Sequence, residues 1–499
     1  MKNLFAYTAG EPLLFTQIYF WLFLFVVLLV FALIKNKLKL SHLWLFLVSV
    51  FFYYKSSGNF VILLLITTLL TYGFSLWIDK IKSKGAKKLL LFVGIFLDSA
   101  FLLYFKYTYF FIDLINTYFS AQIQPKDYLS LFANNTFGTQ FSIEKIILPV
   151  GISFYTFQAI SFLVDKYKRR LADEVSFIDF AFYLTFFPQL VAGPIVRADV
   201  FLPQTKEKWQ LTKFDFSLAV FLILNGLIKK MFVSDYISIN FSDRIFTTPD
   251  AFSAMENLLA TYVYSLQIYC DFSGYTDIAI GISLLFGFHL PMNFNSPYKA
   301  ITITDFWHRW HISLSTWLRD YIYIPLGGNR KGKLRQYFNL FLTMLIGGFW
   351  HGANLKFIFW GGVHGLLLIV DKLLKPLTEK LSLKLIGRIF LGIITFHLVN
   401  TLWIFFRADS FDIALTIIEK STQTDITTLG VIFAAYWKPL TITLLALIIH
   451  LLPKRFKLFY RDKFIISPIW FKVFVVILTV FVLVQVKSSA IQPFIYFQF

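Results

Sequence analysis

Residues 15–34 run for twenty positions, FTQIYFWLFLFVVLLVFALI, without one charged side chain. At about 1.5 Å per helical residue, that length crosses a hydrocarbon core of roughly 30 Å. In lipid, every backbone N–H and C=O has to be satisfied within the protein, so a run of this kind folds as a helix. More apolar runs follow to the end of the chain. The composition agrees: of 499 residues, 57% are apolar, 15% are charged, and 62 are Phe. Soluble domains hold about 45–50% apolar and about 25% charged residues. Disordered, collagen-like and disulfide-scaffold chains are excluded. The single cysteine, Cys270, permits neither an internal disulfide nor a multi-cysteine zinc site. An all-α polytopic membrane protein is the class that remains.

Lys35, Lys37 and Lys39 follow the first run where a signal peptide would have a small-residue cleavage site. The run therefore reads as a retained anchor with its N-terminus outside. Further spans are expected at about 41–54, 60–78, 89–112 and 145–164. The clusters at 80–88 and 166–170 face the cytoplasm, and the loop 113–144, with Lys126 as its one basic residue, faces out. Later stretches near 177–196, 214–234, 254–270, 275–290, 336–350, 355–371, 385–406 and 434–453 are interrupted by Gly, Pro, His or charges. Some of these are expected to be re-entrant or interfacial helices around a central funnel. A last span at about 467–486 leaves 487–499 as an extracytoplasmic tail. The whole chain, 1–499, reads as one transmembrane domain of about ten to twelve crossings, both termini outside. The net charge of +19 then belongs to cytoplasmic loops. It does not signal nucleic-acid binding, because the basic residues form short clusters between apolar runs.

Ionisable groups inside apolar territory are costly and point to function. They concentrate between residues 265 and 365. Asp271 and Asp277, six apart, are either a carboxylate pair for acid–base work or ion coupling, or caps at a helix break. In DFWHRWHISLSTWLRDYIYIPLGG (305–328), a continuous helix puts His308, His311, Ser315 and Arg319 on one face and pairs Asp305 with Arg309. Trp307, Trp310 and Trp317 fit a membrane interface. In LIGGFWHGANLKFIFWGGVHG (345–365), His351 ends an apolar run among glycines that permit close backbone approach, as a substrate channel requires. An imidazole, with an ordinary pKa near 6.5, suits a general base. Residues 327–333, GGNRKGK, match the start of a phosphate-binding loop, but Leu334 stands where Ser or Thr would hold magnesium. The segment 326–335 is read as a cationic loop, and no His set has metal-site spacing.

These motifs carry a resemblance. LPVGISFYTFQAISFLVD (148–165), FFPQLVAGPIVR (186–197), QIYCDFSGYTDIAIGISLLFGF (267–288), residues 293–330 and GGFWHGANLKFIFWGGVHG (347–365) resemble the membrane-bound O-acyltransferase family. They are closest to its bacterial branch, typified by the alginate O-acetyltransferase membrane subunit. The resemblance implies a multi-pass protein of the cytoplasmic (inner) membrane, with His351 as catalytic histidine and His311 as the second one. It assigns no role to His308. It implies an acyl donor, acetyl-CoA, approaching from the cytoplasm, and a polysaccharide acceptor outside. It also implies an extracytoplasmic acetyltransferase partner and no bound cofactor or metal. In that scheme His351 draws the proton from the acceptor hydroxyl, while His311 holds a reactant or stabilises the oxyanion.

The terminal FIYFQF resembles a tail motif of extracytoplasmic O-acylation systems, in which the tyrosine carries the acyl group. Tyr496 is then an acyl relay, or else an aromatic anchor at the end of a span. Within the family, D-alanyl transfer to teichoic acid is the alternative activity. Outside it, a transporter or flippase would use Asp98, Asp271 and Asp277 as ion ligands.

Overall fold

The computed structural model describes residues 7–8, 12–139, 141–171, 174–191, 193–486 and 494. Among them are helices and no strand. Tyr496 and the rest of the 487–499 tail, Phe494 excepted, lie outside the described residues.

The first expected span is the helix Ile18–Ile34. One of its faces (Phe20, Leu24, Val27, Phe31) is buried, and the other (Leu22, Phe25, Leu29, Leu33) is exposed. That division suits a helix with protein on one side and lipid on the other. The spans expected at 41–54 and 60–78 are helices Leu38–Ser57 and Val61–Lys80. A short turn, Gly58–Phe60, joins them, and together they count as one candidate span of 43 residues. The next helix, Lys84–Phe119, is 36 residues long, and the last, Ile469–Val486, is exposed along most of its length.

By length and apolarity, five helices among the described residues can cross a membrane, or up to seven if each of two bent pairs is one span. The larger count expected from the sequence includes stretches that the fold divides. Residues 177–196 break at Phe186 into Phe177–Thr185 and Phe187–Leu190, with Pro188 in the first turn of the second. Residues 426–451 bend by 104° between two helices.

The centre of the molecule is the helix Ala254–Leu285, which is 32 residues long. Ser253 and Glu256 form a reciprocal capping box at its start, which satisfies two otherwise orphaned donors. Every residue from Val263 to Thr276 is buried, including Gln267, Asp271 and Ser273. This helix is therefore the hub of the bundle and carries little lipid-facing surface. It packs closely on Lys213–Leu227: a Cβ on Gly226 would fall 2.5 Å from the Gly274 carbonyl oxygen, and one on Gly281 would fall 2.8 Å from that of Ala219. Small residues at these crossings let two backbones approach inside a membrane.

Candidate active site

The helix Lys333–His351 ends on His351 itself. Its last turn is set by contact with the following helix, Leu355–Leu373. A Cβ on Gly348 would lie 2.3 Å from the Phe357 carbonyl oxygen and 2.8 Å from Gly361 Cα, and one on Gly361 would lie 2.4 Å from the Met344 carbonyl oxygen. The close backbone approach that the sequence suggested for these glycines is present, between two helices. They close two helices backbone to backbone and fix where the first one stops.

A helix C-terminus leaves carbonyls without intrahelical donors. Here two side chains of Lys84–Phe119 supply them. Lys106 Nζ donates to the Trp350 and His351 carbonyls at 2.7 and 2.9 Å, and Tyr107 Oη donates to the Phe349 carbonyl at 2.8 Å. The His351 imidazole is buried between the rings of Trp350, Trp360 and Phe406, with centroids 5.0–5.3 Å away. A cavity of about 50 Å³ is lined by Lys106, Trp350, His351 and residues 148–154. That is room for one or two water-sized groups.

His311 reaches the same centre by a break in the chain. The expected continuous helix over 305–319 is two short helices, Ile303–Arg309 and Ile312–Leu318. Between them His311 takes the left-handed conformation, φ 41°. The loop before them enters the gap: Asn295 N–H donates to the Arg309 carbonyl, and Ile312 N–H to that of Asn293. The Asn293 side-chain oxygen accepts from Ser313 N–H at 3.0 Å and from Ser313 Oγ at 2.9 Å, and lies 3.2 Å from His311 Nδ1. The break turns His311 fully inward, edge to face with Phe272 of the central helix at 4.7 Å, and leaves His308 exposed. The one-face grouping of His308, His311, Ser315 and Arg319 is therefore corrected. The Asp305–Arg309 pair forms as expected, at 2.7 Å.

Trp350 joins the two histidines, with centroids 5.0 Å from His351 and 6.2 Å from His311. From it an aromatic ladder continues through Phe157 (5.2 Å), Trp317 (3.8 Å onward) and Tyr321 (5.2 Å). Trp307, Trp310 and Trp317, expected at an interface, are all buried in this core. Beyond the ladder, Tyr321 donates to Asp165 at 2.5 Å, and Arg197 pairs with Asp320 at 2.6 Å. Burial alone would raise the Asp320 carboxyl, but Arg319 and Arg197 outweigh it and hold it below the usual carboxylate range.

His364 lies beyond Trp360, 4.6 Å away, and its Nδ1 takes the Trp307 indole N–H at 3.4 Å. Among the described residues no three His, Cys, Asp or Glu side chains converge as metal ligands. Asp271 and Asp277 do not form a carboxylate pair. Lys230 bonds Asp271 and, at 2.7 Å, Asp235, while Lys229 and Asn225 both meet Asp277 at 2.7 Å. A larger cavity, about 420 Å³, lies by Lys35, Trp209 and His289, and no residue of the histidine centre lines it. His351 borders the smaller one.

Lys106, Tyr107, Asn293, Lys229 and Lys230 escaped the sequence reading. The signal for three of them was present: each lysine interrupts an apolar run expected to span the membrane.

The model of the membrane-bound O-acyltransferase family matches residues 12–407. A peptidoglycan O-acetyltransferase of Helicobacter pylori is 38% identical over 411 residues, 77% of this chain and 74% of its own. A probable alginate O-acetylase AlgI of Pseudomonas aeruginosa is 37% identical over 81% of this chain and 74% of its own. A teichoic acid D-alanyltransferase of Bacillus subtilis is 30% identical over 51% of this chain and 68% of its own. The chain belongs to the membrane-bound O-acyltransferase family and is an O-acyltransferase.

Proposed function

We propose that this membrane-bound O-acyltransferase moves an acetyl group from acetyl-CoA onto an extracytoplasmic hydroxyl, for O-acetylation of a polysaccharide of the cell envelope. The observation that carries the reading is His351, buried at the capped end of its helix and bordering the 50 Å³ cavity. His351 acts as general base on the acceptor hydroxyl, a role worth about 10²–10⁴-fold in rate. His311, held by Asn293, orients the bound reactants. The names of the peptidoglycan and alginate relatives support an acetyl group and a polysaccharide. The teichoic acid relative keeps D-alanyl transfer as the second reading, at lower identity and coverage. Transport is disfavoured because Asp271 and Asp277 are held by Lys230 and Lys229.

The chain works as one domain of the cytoplasmic membrane, with both termini outside and an extracytoplasmic acetyltransferase as partner. Tyr496 relays the acyl group to that partner. Phe494, two residues earlier, is fully buried against Phe272 and Tyr275, and Phe272 packs on His311; this supports a tail that reaches the histidines. A phenol, with pKa near 10, needs a base such as His351 to react at neutral pH.

The test is turnover of radiolabelled acetyl-CoA by purified protein, beside His351→Ala and Tyr496→Phe. Label should be released or transferred by the wild type and fall by about 10²–10⁴-fold in His351→Ala. Equal turnover in that variant would make His351 structural. Tyr496→Phe keeps the anchor and removes the nucleophile, so unchanged transfer would end the relay idea.

A further inference from the structure

Lys106 raises a question that helix capping alone does not answer. Burying an ammonium costs several kcal/mol unless a counter-ion and hydrogen bonds compensate it. Lys106 has the hydrogen bonds: two of its three N–H groups go to the Trp350 and His351 carbonyls. Its Nζ lies 5.8 Å from the centroid of the Trp350 ring. Among the described residues no carboxylate pairs with it, whereas Lys166, Lys229 and Lys230 each have one. The partial negative end of the His351 helix offsets only part of a full charge. A neutral donor suffices for capping here, because Tyr107 satisfies the Phe349 carbonyl with a hydroxyl. A lysine at this position therefore needs another reason. Its position supplies one, since Lys106 and His351 line the same 50 Å³ cavity.

We propose that Lys106 is a catalytic residue whose ammonium stabilises the oxyanion formed when the acceptor hydroxyl attacks the acyl thioester at His351. This rests on the reading of His351 as general base. In the step, the hydroxyl oxygen forms a bond to the thioester carbonyl carbon, and its proton passes to the imidazole. The carbonyl π pair moves onto oxygen, which becomes the anion that the third N–H of Lys106 meets. Collapse re-forms the C=O and breaks the C–S bond. The imidazole returns its proton to the departing sulfur, leaving an ester and a free thiol. The two carbonyl bonds fix Nζ before the charge appears, so little reorganisation is needed when it does.

The experiment separates charge from capping. Wild type, Lys106→Gln, Lys106→Arg and His351→Ala are assayed side by side with radiolabelled acetyl-CoA in detergent-purified full-length protein. Each is checked for a monodisperse, folded state by size exclusion and thermal melting. Gln keeps N–H donors for the carbonyls and loses the charge; Arg keeps the charge. Lys106→Gln should melt within a few degrees of wild type and lose about 10²–10³-fold in kcat with little change in KM. Lys106→Arg should recover a measurable part of that loss. Gln as active as wild type, or Arg no better than Gln, would overturn the role. If Gln is unstable, kcat per folded molecule of the Arg variant decides: loss equal to that of His351→Ala in a folded Arg protein overturns it. If His351→Ala itself retains full turnover, the general-base reading fails first, and the two failures stay distinguishable.

Discussion

Two polar clusters are buried in this bundle, and they are built in opposite ways. Around the central helix, Lys229 and Lys230 meet Asp277, Asp271 and Asp235, with Asn225 on the same Asp277 oxygen as Lys229. There each lysine has a carboxylate partner within the fold, and Lys230 is shared by two. At the histidine centre, two imidazoles are packed among aromatic rings, and the nearby cation, Lys106, meets backbone carbonyls. In the first cluster the cations are held by carboxylates of the fold. The second is open to a charge that arrives with the reaction. Burial of polar groups thus does not by itself mark a site; what sets the histidine centre apart is the cavity that His351 and Lys106 border.

The comparison breaks most visibly at Lys230, whose side chain is 2% exposed. Lys230→Met removes the cation from buried Asp271 and half-buried Asp235, which should cost about 3–5 kcal/mol. Folded protein on size exclusion should largely disappear. Replacing all three together, Lys230→Met with Asp235→Leu and Asp271→Leu, should restore most of it, because well-packed apolar groups commonly substitute for a buried ion network. Activity per folded molecule should stay near wild type. If the triple variant folds and is inactive, the cluster belongs to the chemistry and the division drawn above is wrong.

Asn293 sharpens the same division from the other side. Its side-chain oxygen holds the Ser313 amide and hydroxyl and faces His311 Nδ1. Asn293→Ala should cost about 1–3 kcal/mol for the buried donors it strands. It should also lower kcat by about 10²-fold, the scale of a misplacement near 1 Å at the reacting groups. Asn293→Asp keeps the acceptor and should retain more activity than Ala. Melting and turnover on the same preparations check both effects. A loss of stability without loss of rate would remove His311 from the reaction.

How much of this was legible depends on the kind of signal. Long apolar runs report on lipid directly, so the helical membrane class and most helix positions followed from residues such as 15–34 and 467–486. His311 and His351 stood out because ionisable groups are rare in such runs. The break that orients His311 was not legible. It depends on residues 293–295 bonding across to 309–313, a contact with no local pattern. The glycines near His351 were legible as close-approach positions, but what approaches them, Phe357 and Gly361, comes from the fold. Lys229 and Lys230 were visible as charges, yet Asp277 and Asp271, which they hold, sit 48 and 41 residues on, so the sequence left those two carboxylates open between a functional pair and helix caps.

The smallest effect is expected at Asp305. It pairs with Arg309 one turn on, and both side chains are nearly 30% exposed, so the ion pair itself is worth no more than about 1 kcal/mol. Asp305 also takes Ile301 N–H at 3.3 Å, and its own N–H is capped by Thr302. Asp305→Asn keeps an acceptor for the first and does not touch the second. Arg309 retains a bond to the Asn295 carbonyl at 3.3 Å, so the loop that holds the His311 break stays in place. Melting should fall by no more than a few degrees, and turnover should change less than about twofold. A tenfold loss of kcat in a protein that melts normally would mean that charge at the edge of the break reaches His311. The open site would then extend one helical turn further than the buried residues alone define it.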